Sequence, residues 1–438
     1  MKRDNLQFLL LNIGHLLDHL FMLIFATVAA LALAREWGAT YGELLVYATP
    51  GFFAFGVFSL PAGWLADKWN REGMMAVYFL GIGSAAIATG LAQSPLQVGA
   101  GLFAIGIFAA IYHPVGLAIV TARWKNTGSR LAVNGVWGNF GVAGAALLTG
   151  YLIDHGGWRS AFLAPGAFSV VIGIAYLMLR WPEISQPRVT AAAGAAVAGA
   201  PIPPAARAVV LRVSMIVFVT AAVSSIVFQS TTFALPKIFD ERLQGLAAAL
   251  VAWLKQTGIA PQADVATLVG GLAFLVFAIA SLAQLVVGRM LDRYGARPVF
   301  MTVAAMQVAF FALMPGLNDL AAVAVALGFM LGAFGQIPIN DFMIGKMAVG
   351  EFRARAYAIR YMISFTVLAA TLPLISYVYG AWGFDTLFRL LAASALVIFL
   401  VVSLLPRQAA AVARPAANAG PGSRARSCAG LRALRARK

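Results

Sequence analysis

Long apolar runs separated by short charged segments constrain this chain most. A run of about 20 such residues crosses a bilayer, and in lipid its backbone polar groups can pair only within a helix. About twelve runs of this length are present, near Gln7 to Ala34, Leu44 to Ala66, Met74 to Ala92, Gln97 to Ala122, Leu131 to Ile153 and Ala161 to Leu179 in the first part. Val209 to Leu235, Val265 to Val287, Val299 to Leu317, Leu320 to Gly345, Ala356 to Tyr379 and Phe384 to Leu405 follow in the second. Only 11% of residues are charged, against roughly 25% in a soluble domain. Met1-Lys-Arg before an apolar run resembles a signal peptide, but Leu6 to Ala34 is far longer than a typical h-region. We expect it to be the first span.

The runs come in two sets of six. The charged stretch Gly63-Trp-Leu-Ala-Asp-Lys-Trp-Asn-Arg71 recurs as Gly288-Arg-Met-Leu-Asp-Arg-Tyr-Gly-Ala-Arg297, with Asp67 and Asp292 separated by 225 residues. A true repeat carries its neighbours along. Pro114 and Pro338 lie 224 apart, Arg130 and Arg355 225, and Trp158 and Trp382 224. The expectation is an all-α integral membrane protein of two pseudo-symmetric six-helix halves, 1–180 and 209–405. Parallel repeats of this kind are a recurring plan of secondary transporters. A Pro- and Ala/Gly-rich stretch, 181–208, reads as a cytoplasmic linker, and 406–438 as a basic, disordered cytoplasmic tail.

The net charge of +16 raises the question of nucleic acid, and its placement answers it. The tail from Pro406 holds 8 of the 32 Lys and Arg and no acid. Assigning loops alternately puts 26 cations on the side of the N-terminus and 6 opposite: Arg35, Arg159, Lys237, Arg242, Lys255 and Arg389. By the positive-inside rule both termini are cytoplasmic in a bacterial-type plasma membrane. The bilayer, not nucleic acid, is the expected partner, and the protein is expected to be a monomer. A lone cysteine, Cys428, excludes an internal disulfide. Within the opposite-side loop from Lys237 to Asp264, Leu243 to Leu254 is too short to span and reads as a surface helix.

Of the 16 acids only Asp18 and Asp341 fall inside spans. A mid-bilayer Asp costs about 2.5–3.5 kcal/mol on insertion scales, so it implies a cavity, a partner or a task. His15, Asp18, His19 and Met22 have i, i+3, i+4, i+7 spacing and share one helix face. We read Asp18, His15 and His19 as the proton and substrate site. A structural hydrogen-bonded cluster is the alternative reading. A metal site is another, since His15 and His19 have helical ligand spacing and His113 supplies a third imidazole. No bound metal or cofactor is expected, the proton gradient being the energy source. His113 precedes Pro114 in the fourth span, and Asn340 and Asp341 follow Pro338 in the tenth. With Gln229 of the seventh they read as cavity contacts, although pairing of Asp341 with Lys346 or Arg360 competes with a transport role. Prolines in matching spans bend both helices.

These residues resemble the major facilitator superfamily from about Asn5 to Leu405. Its loop between spans two and three reads Gly-x-Leu-Ala-Asp-Arg/Lys-x-Gly-Arg-Arg/Lys. Gly63, Leu65, Ala66, Asp67, Lys68 and Arg71 match it, whereas Asn70 and Glu72 depart from it. Gly288, Asp292, Arg293, Gly295 and Arg297 match in the repeat. The resemblance implies that Gly63, Asp67, Lys68, Arg71, Gly288, Asp292 and Arg293 form a cytoplasmic gate. Gly14-His-x-x-Asp18, Tyr112-His-Pro-Val-Gly116 and Gly157-Trp-Arg-Ser-Ala-Phe162 are similar to the fosmidomycin-resistance branch. Gly144-Ala-Ala-Leu-Leu-Thr149 lacks the Gly-Pro-x-x-Gly-Gly of drug antiporters. The implied function is proton-coupled efflux of a small solute by alternating access. A proton-coupled importer of a sugar, organic acid or metal chelate is the alternative within this class. A membrane sensor or a lipid-modifying enzyme is the alternative outside it.

Overall fold

The computed structural model describes residues 3–124, 127–185, 204–259, 264–347 and 351–405, so most of the expected linker and all of the expected tail lie outside the described residues. Helices α1 (Arg3–Val28), α2 (Thr49–Lys68), α3 (Arg71–Gly90), α4 (Pro95–Ala109) and α5 (Thr127–Ile184) build the first half. Helices α6 (Pro204–Arg242), α7 (Gln244–Thr257), α8 (Val265–Tyr294), α9 (Ala296–Leu313), α10 (Asp319–Met347) and α11 (Glu351–Ser403) build the second. There is no strand among the described residues.

Ten helices among the described residues are long and apolar enough to cross a membrane. Two of them contain a reversal. At about 1.5 Å per residue α5 would run almost three times the thickness of a hydrocarbon core. Yet both its ends lie beside the start of α1. Arg130 stands over the Phe8 ring at 4.4 Å, and Arg180 meets Glu72, which also accepts from Gln7. The chain turns back at Gly157, φ 72° and ψ 171°, a left-handed backbone that glycine adopts without Cβ strain. Gly383, φ 73°, interrupts α11 in the same way. The ten helices therefore make the twelve expected passes, and the landmark residues Trp158 and Trp382 stand at the two turns.

The repeat is not exact at its prolines. Around Pro114 the backbone takes a π-helical turn, Tyr112–Gly116, as it does over Ala29–Leu33. Pro338 instead sits inside the continuous helix α10, so only the first half shows a changed helix type at its proline.

The halves meet most closely where α5 crosses α8. A Cβ on Gly150 would stand 2.2 Å from the Ala266 carbonyl oxygen, and one on Gly270 2.3 Å from that of Ala146. Only glycine permits this approach, a familiar device between membrane helices. One hydrophobic core runs through both halves. A second is confined to the ends of the second-half helices near the C-terminus, around Val217, Leu291, Phe300, Met343 and Val402.

Polar contacts join the halves at the end remote from the termini. Ser376 donates to the Gly42 carbonyl at 2.7 Å, Arg35 approaches Asp240 at 3.3 Å, and Asp154 accepts from the Thr267 backbone N–H at 2.7 Å. The rings of Tyr41 and Tyr379 pack edge to face 5.5 Å apart. Here also lies α7, the expected short helix. Asp319 accepts from the Leu246 N–H at 2.8 Å, satisfying a donor that a helix N-terminus leaves unpaired.

Gly150→Val is expected to destabilise the protein by about 1–3 kcal/mol through overpacking, read as a lower melting temperature in detergent. Gly144→Ala, where an added Cβ meets nothing within 4 Å, is expected to leave it unchanged.

Candidate transport site

His15, Asp18 and His19 project from α1 at the spacing that places them on one face. The π turn at Tyr112–Gly116 brings His113 to the same place. Pro114, which lacks an N–H, lies within this π turn, and His113 beside it faces α1. His113 Nε2 lies 3.4 Å from Asp18 Oδ2. The His15 and His113 rings are 5.2 Å apart, and those of His19 and His113 5.5 Å.

Packing and hydrogen bonds fix His15 in place. Its Nδ1 is 2.8 Å from the Asn134 carbonyl oxygen. A carbonyl only accepts, so Nδ1 carries the hydrogen and Nε2 keeps its lone pair. Tyr112 stacks on the ring at 4.9 Å, and a Cβ on Gly138 would meet His15 Nε2 at 2.7 Å. Tyr112 donates to the Leu11 carbonyl at 2.8 Å and accepts from Asn134 Nδ2 at 2.9 Å, which also reaches Asn12 Oδ1 at 2.9 Å. Asp18 is 0% exposed, and neither of its oxygens receives a hydrogen bond.

This cluster forms one wall of a cavity of about 230 Å³ between the halves. His19, Phe55 and His113 face it from one half, and Gln229, Gln336 and Asn340 from the other. The expected contacts His113, Gln229 and Asn340 are thus brought together. The Asp341 side chain lies outside the described residues. Several polar atoms on the second-half wall are buried without a hydrogen-bond partner: Gln229 Nε2, Ser224 Oγ, Asn340 Oδ1 and Gln336 Oε1. No Lys or Arg is among the described lining residues. The wall offers neutral hydrogen-bonding groups, aromatic surface and imidazoles.

No described residue of the repeated loop is among the lining residues of this cavity. Asp67 pairs with Arg71 of its own loop at 2.8 Å, both side chains being exposed. Lys68 stands over the Trp64 ring at 5.9 Å. Gly63 approaches Pro114, its added Cβ being 3.3 Å away. In the second copy an added Cβ on Gly288 meets nothing within 4 Å, Asp292 is exposed, and Arg293 stands over Tyr294 at 5.2 Å.

A different acid organises this end of the first half. Glu72 accepts from Gln7 at 2.9 Å, from Arg180 at 3.1 Å and from the Tyr176 hydroxyl, and lies 3.9 Å from Arg123. Arg123 also donates to Asp4 at the exposed start of α1, holding its carboxyl below the ordinary range. Sequence reading passed over Glu72 as a mere departure from the loop pattern. The sign reversal at that position was the available signal. Asn12, Gln307 and Gln336 were also missed, because a neutral polar side chain within an apolar run stands out less than a charge.

Twelve passes in two halves around a central cavity define a multi-pass membrane protein of the transporter class. The family model for the Major Facilitator Superfamily matches residues 11–261 and 244–438, and the chain belongs to that superfamily. Among curated proteins it is similar to the puromycin resistance protein of Streptomyces alboniger, 31% identical over 145 residues, 32% of this chain and 27% of that protein. The probable sulfoacetate transporter of Cupriavidus necator is 27% identical over 147 residues, 33% of this chain and 34% of that one. The matched segments span about a third of these relatives' lengths or less. Among solved structures, the nucleoside transporter NupG superposes with TM-score 0.65 at 16% identity, covering 91% of this chain and 99% of that one. The D-xylose–proton symporter does so with TM-score 0.66 at 13% identity, covering 92% and 98%.

Glu72→Ala removes one of the two carboxylates that pair with the buried Arg180, Glu183 remaining at 3.1 Å, and is expected to cost about 1.5–3 kcal/mol, seen as a fall in melting temperature. Adding Arg180→Leu is expected to recover part of the loss.

Proposed function

We propose that this chain exports a small solute across a bacterial-type plasma membrane by alternating access of its two halves, driven by the proton gradient. One observation carries the reading. The cavity is walled by both halves, and the polar contacts that join them gather at one end, beyond His19 and Gln229. A site sealed on one side by separable contacts between two bodies is what rocking requires. The separate hydrophobic core at the other end of the second half supports the same picture, since that region packs on its own half.

The excess of cations on the side of the termini supports cytoplasmic termini. On that orientation the sealed end faces outward and the cavity is reached from the cytoplasm. His19 and His113 are the contacts on one wall, with Asp18 and His15 packed behind them, and Gln229, Gln336 and Asn340 those on the other. The exposed Asp67–Arg71 pair and the second copy around Asp292 are the elements of the cytoplasmic gate when the molecule rocks the other way. Export is supported by the likeness to a puromycin resistance protein. Uptake of an organic anion is the second reading, favoured by the likeness to a probable sulfoacetate transporter. Among the described residues the lining carries no Lys or Arg, which favours a solute without a fixed negative charge.

The test is accumulation of a panel of labelled solutes in energised cells, comparing wild type with Asp18→Asn at equal expression. Wild type is expected to lower the level of one solute, the variant to fail, and a protonophore to abolish the difference. Equal transport by both proteins, or indifference to the protonophore, would overturn the reading.

A further inference from the structure

One feature of the cavity wall is more specific than solute transport requires. One ring nitrogen from each of His15, His19 and His113 lies within 4.8 Å of the others. His15 Nε2 and His19 Nε2 are only 3.2 Å apart. Two ligands on a tetrahedral ion with metal–nitrogen bonds of about 2.0–2.1 Å stand about 3.3 Å apart, so this pair already has the spacing of a chelate. We propose that His15, His19 and His113, with the Asp18 carboxylate beside them, bind a divalent first-row transition-metal ion, and that this ion is cargo, free or carried in a chelate. Its being cargo rests on the transport reading above. The site itself does not.

Four observations converge on it. His15 and His19 are spaced i, i+4 on one helix, so both rings reach the same point without backbone change. The hydrogen bond from His15 Nδ1 to the Asn134 carbonyl fixes the tautomer that keeps the lone pair on Nε2, which accepts from His19 Nε2–H at 3.2 Å and can coordinate once an ion takes that proton's place, the arrangement that metal-ligating histidines adopt. Asp18 provides a buried carboxylate with no hydrogen bond to either oxygen, 3.4 Å from His113. It supplies the negative charge that a divalent ion needs in a low-dielectric site. His19 and His113 also line the cavity, so an ion has an entry path. The donors select the ion. Imidazole suits zinc, cobalt, nickel and copper, whereas calcium and magnesium take oxygen ligands.

The cluster differs from the satisfied polar network behind it. Asn134, Tyr112 and Asn12 bond one another and the α1 backbone, which joins helices and leaves little for a ligand. The facing imidazoles hold one hydrogen bond between them, His19 Nε2 to His15 Nε2 at 3.2 Å, and the carboxylate accepts none.

The experiment is a cobalt titration of the purified, tag-free protein in detergent, followed by its visible d–d absorption, with zinc as competitor. One equivalent of Co²⁺ is expected to give the intense bands of a tetrahedral nitrogen-ligated site, and zinc to displace it. His113→Ala and His19→Ala are each expected to weaken binding at least about tenfold, the scale on which even supporting partners act. His155→Ala, which alters the fourth histidine of the chain, outside the cluster, is expected to leave it unchanged. Zinc should raise the melting temperature of wild type and not that of His113→Ala. That comparison guards against a variant that has merely misfolded. Absence of the bands in wild type, or equal bands in a monodisperse His15→Ala/His19→Ala/His113→Ala protein, would overturn the site. Zinc flux in proteoliposomes tests cargo separately. Binding without flux overturns the cargo role, while loss of binding with solute transport intact overturns the metal site and leaves the transport reading standing.

Discussion

The hydrocarbon core contains no water to pair with a bare N–H or C=O, so each spanning segment must satisfy its own backbone. Everything else in this chain follows from that constraint and from the few places where it is relaxed. Two relaxations are π turns, at Ala29–Leu33 and Tyr112–Gly116. Two are glycine reversals, at Gly157 and Gly383, where the chain passes from one span to the next. The π turn at Pro114 lies inside the bundle and against α1. There the irregular backbone is buried in protein, the condition under which a membrane tolerates it. It carries His113 to Asp18.

The buried polar groups fall into two kinds. Glu72, Arg180, Gln7 and Tyr176 pair with one another near the start of α1. A network so connected holds several helices together, and removing one member leaves another charge with one partner fewer in a dry place. Asn12, Asn134 and Tyr112 do the same with neutral groups. Asp18 belongs to the second kind, a carboxylate with histidines near it and no hydrogen bond. A structural reading accounts well for the first kind and poorly for Asp18.

The halves are joined by two sorts of contact with different consequences for motion. The glycine-mediated approach of α5 to α8 is close, apolar and extended along the helices, and suits a surface on which the halves rock. The remote seal rests on a small number of polar pairs and on the Tyr41–Tyr379 ring contact. The polar pairs are partly buried hydrogen bonds and one ion pair, each worth about 0.5–1.5 kcal/mol net, so such a seal can be exchanged for another at modest cost. A two-state transporter needs its alternatives within a few kcal/mol of each other.

The number of passes and their pairing into two halves were legible in the chain, because each depends on local composition or on a repeat spacing, and Asp18 was legible as a buried charge. A charge inside an apolar run is conspicuous whatever surrounds it. The cavity contacts were legible only in part: Gln229 and His113 stand out as polar residues in matching spans, whereas Gln336 does not. The loop around Asp67 drew attention by its repetition, yet the acid that ties the helices together there is Glu72. Sequence alone determined the helices and their number, since lipid dictates backbone pairing from hydropathy. Only the tertiary structure decided which side chains meet. His15 and His113 lie 98 residues apart in the chain, and their meeting depends on a π turn and on the packing of α1 against its neighbours, neither of which any local pattern encodes.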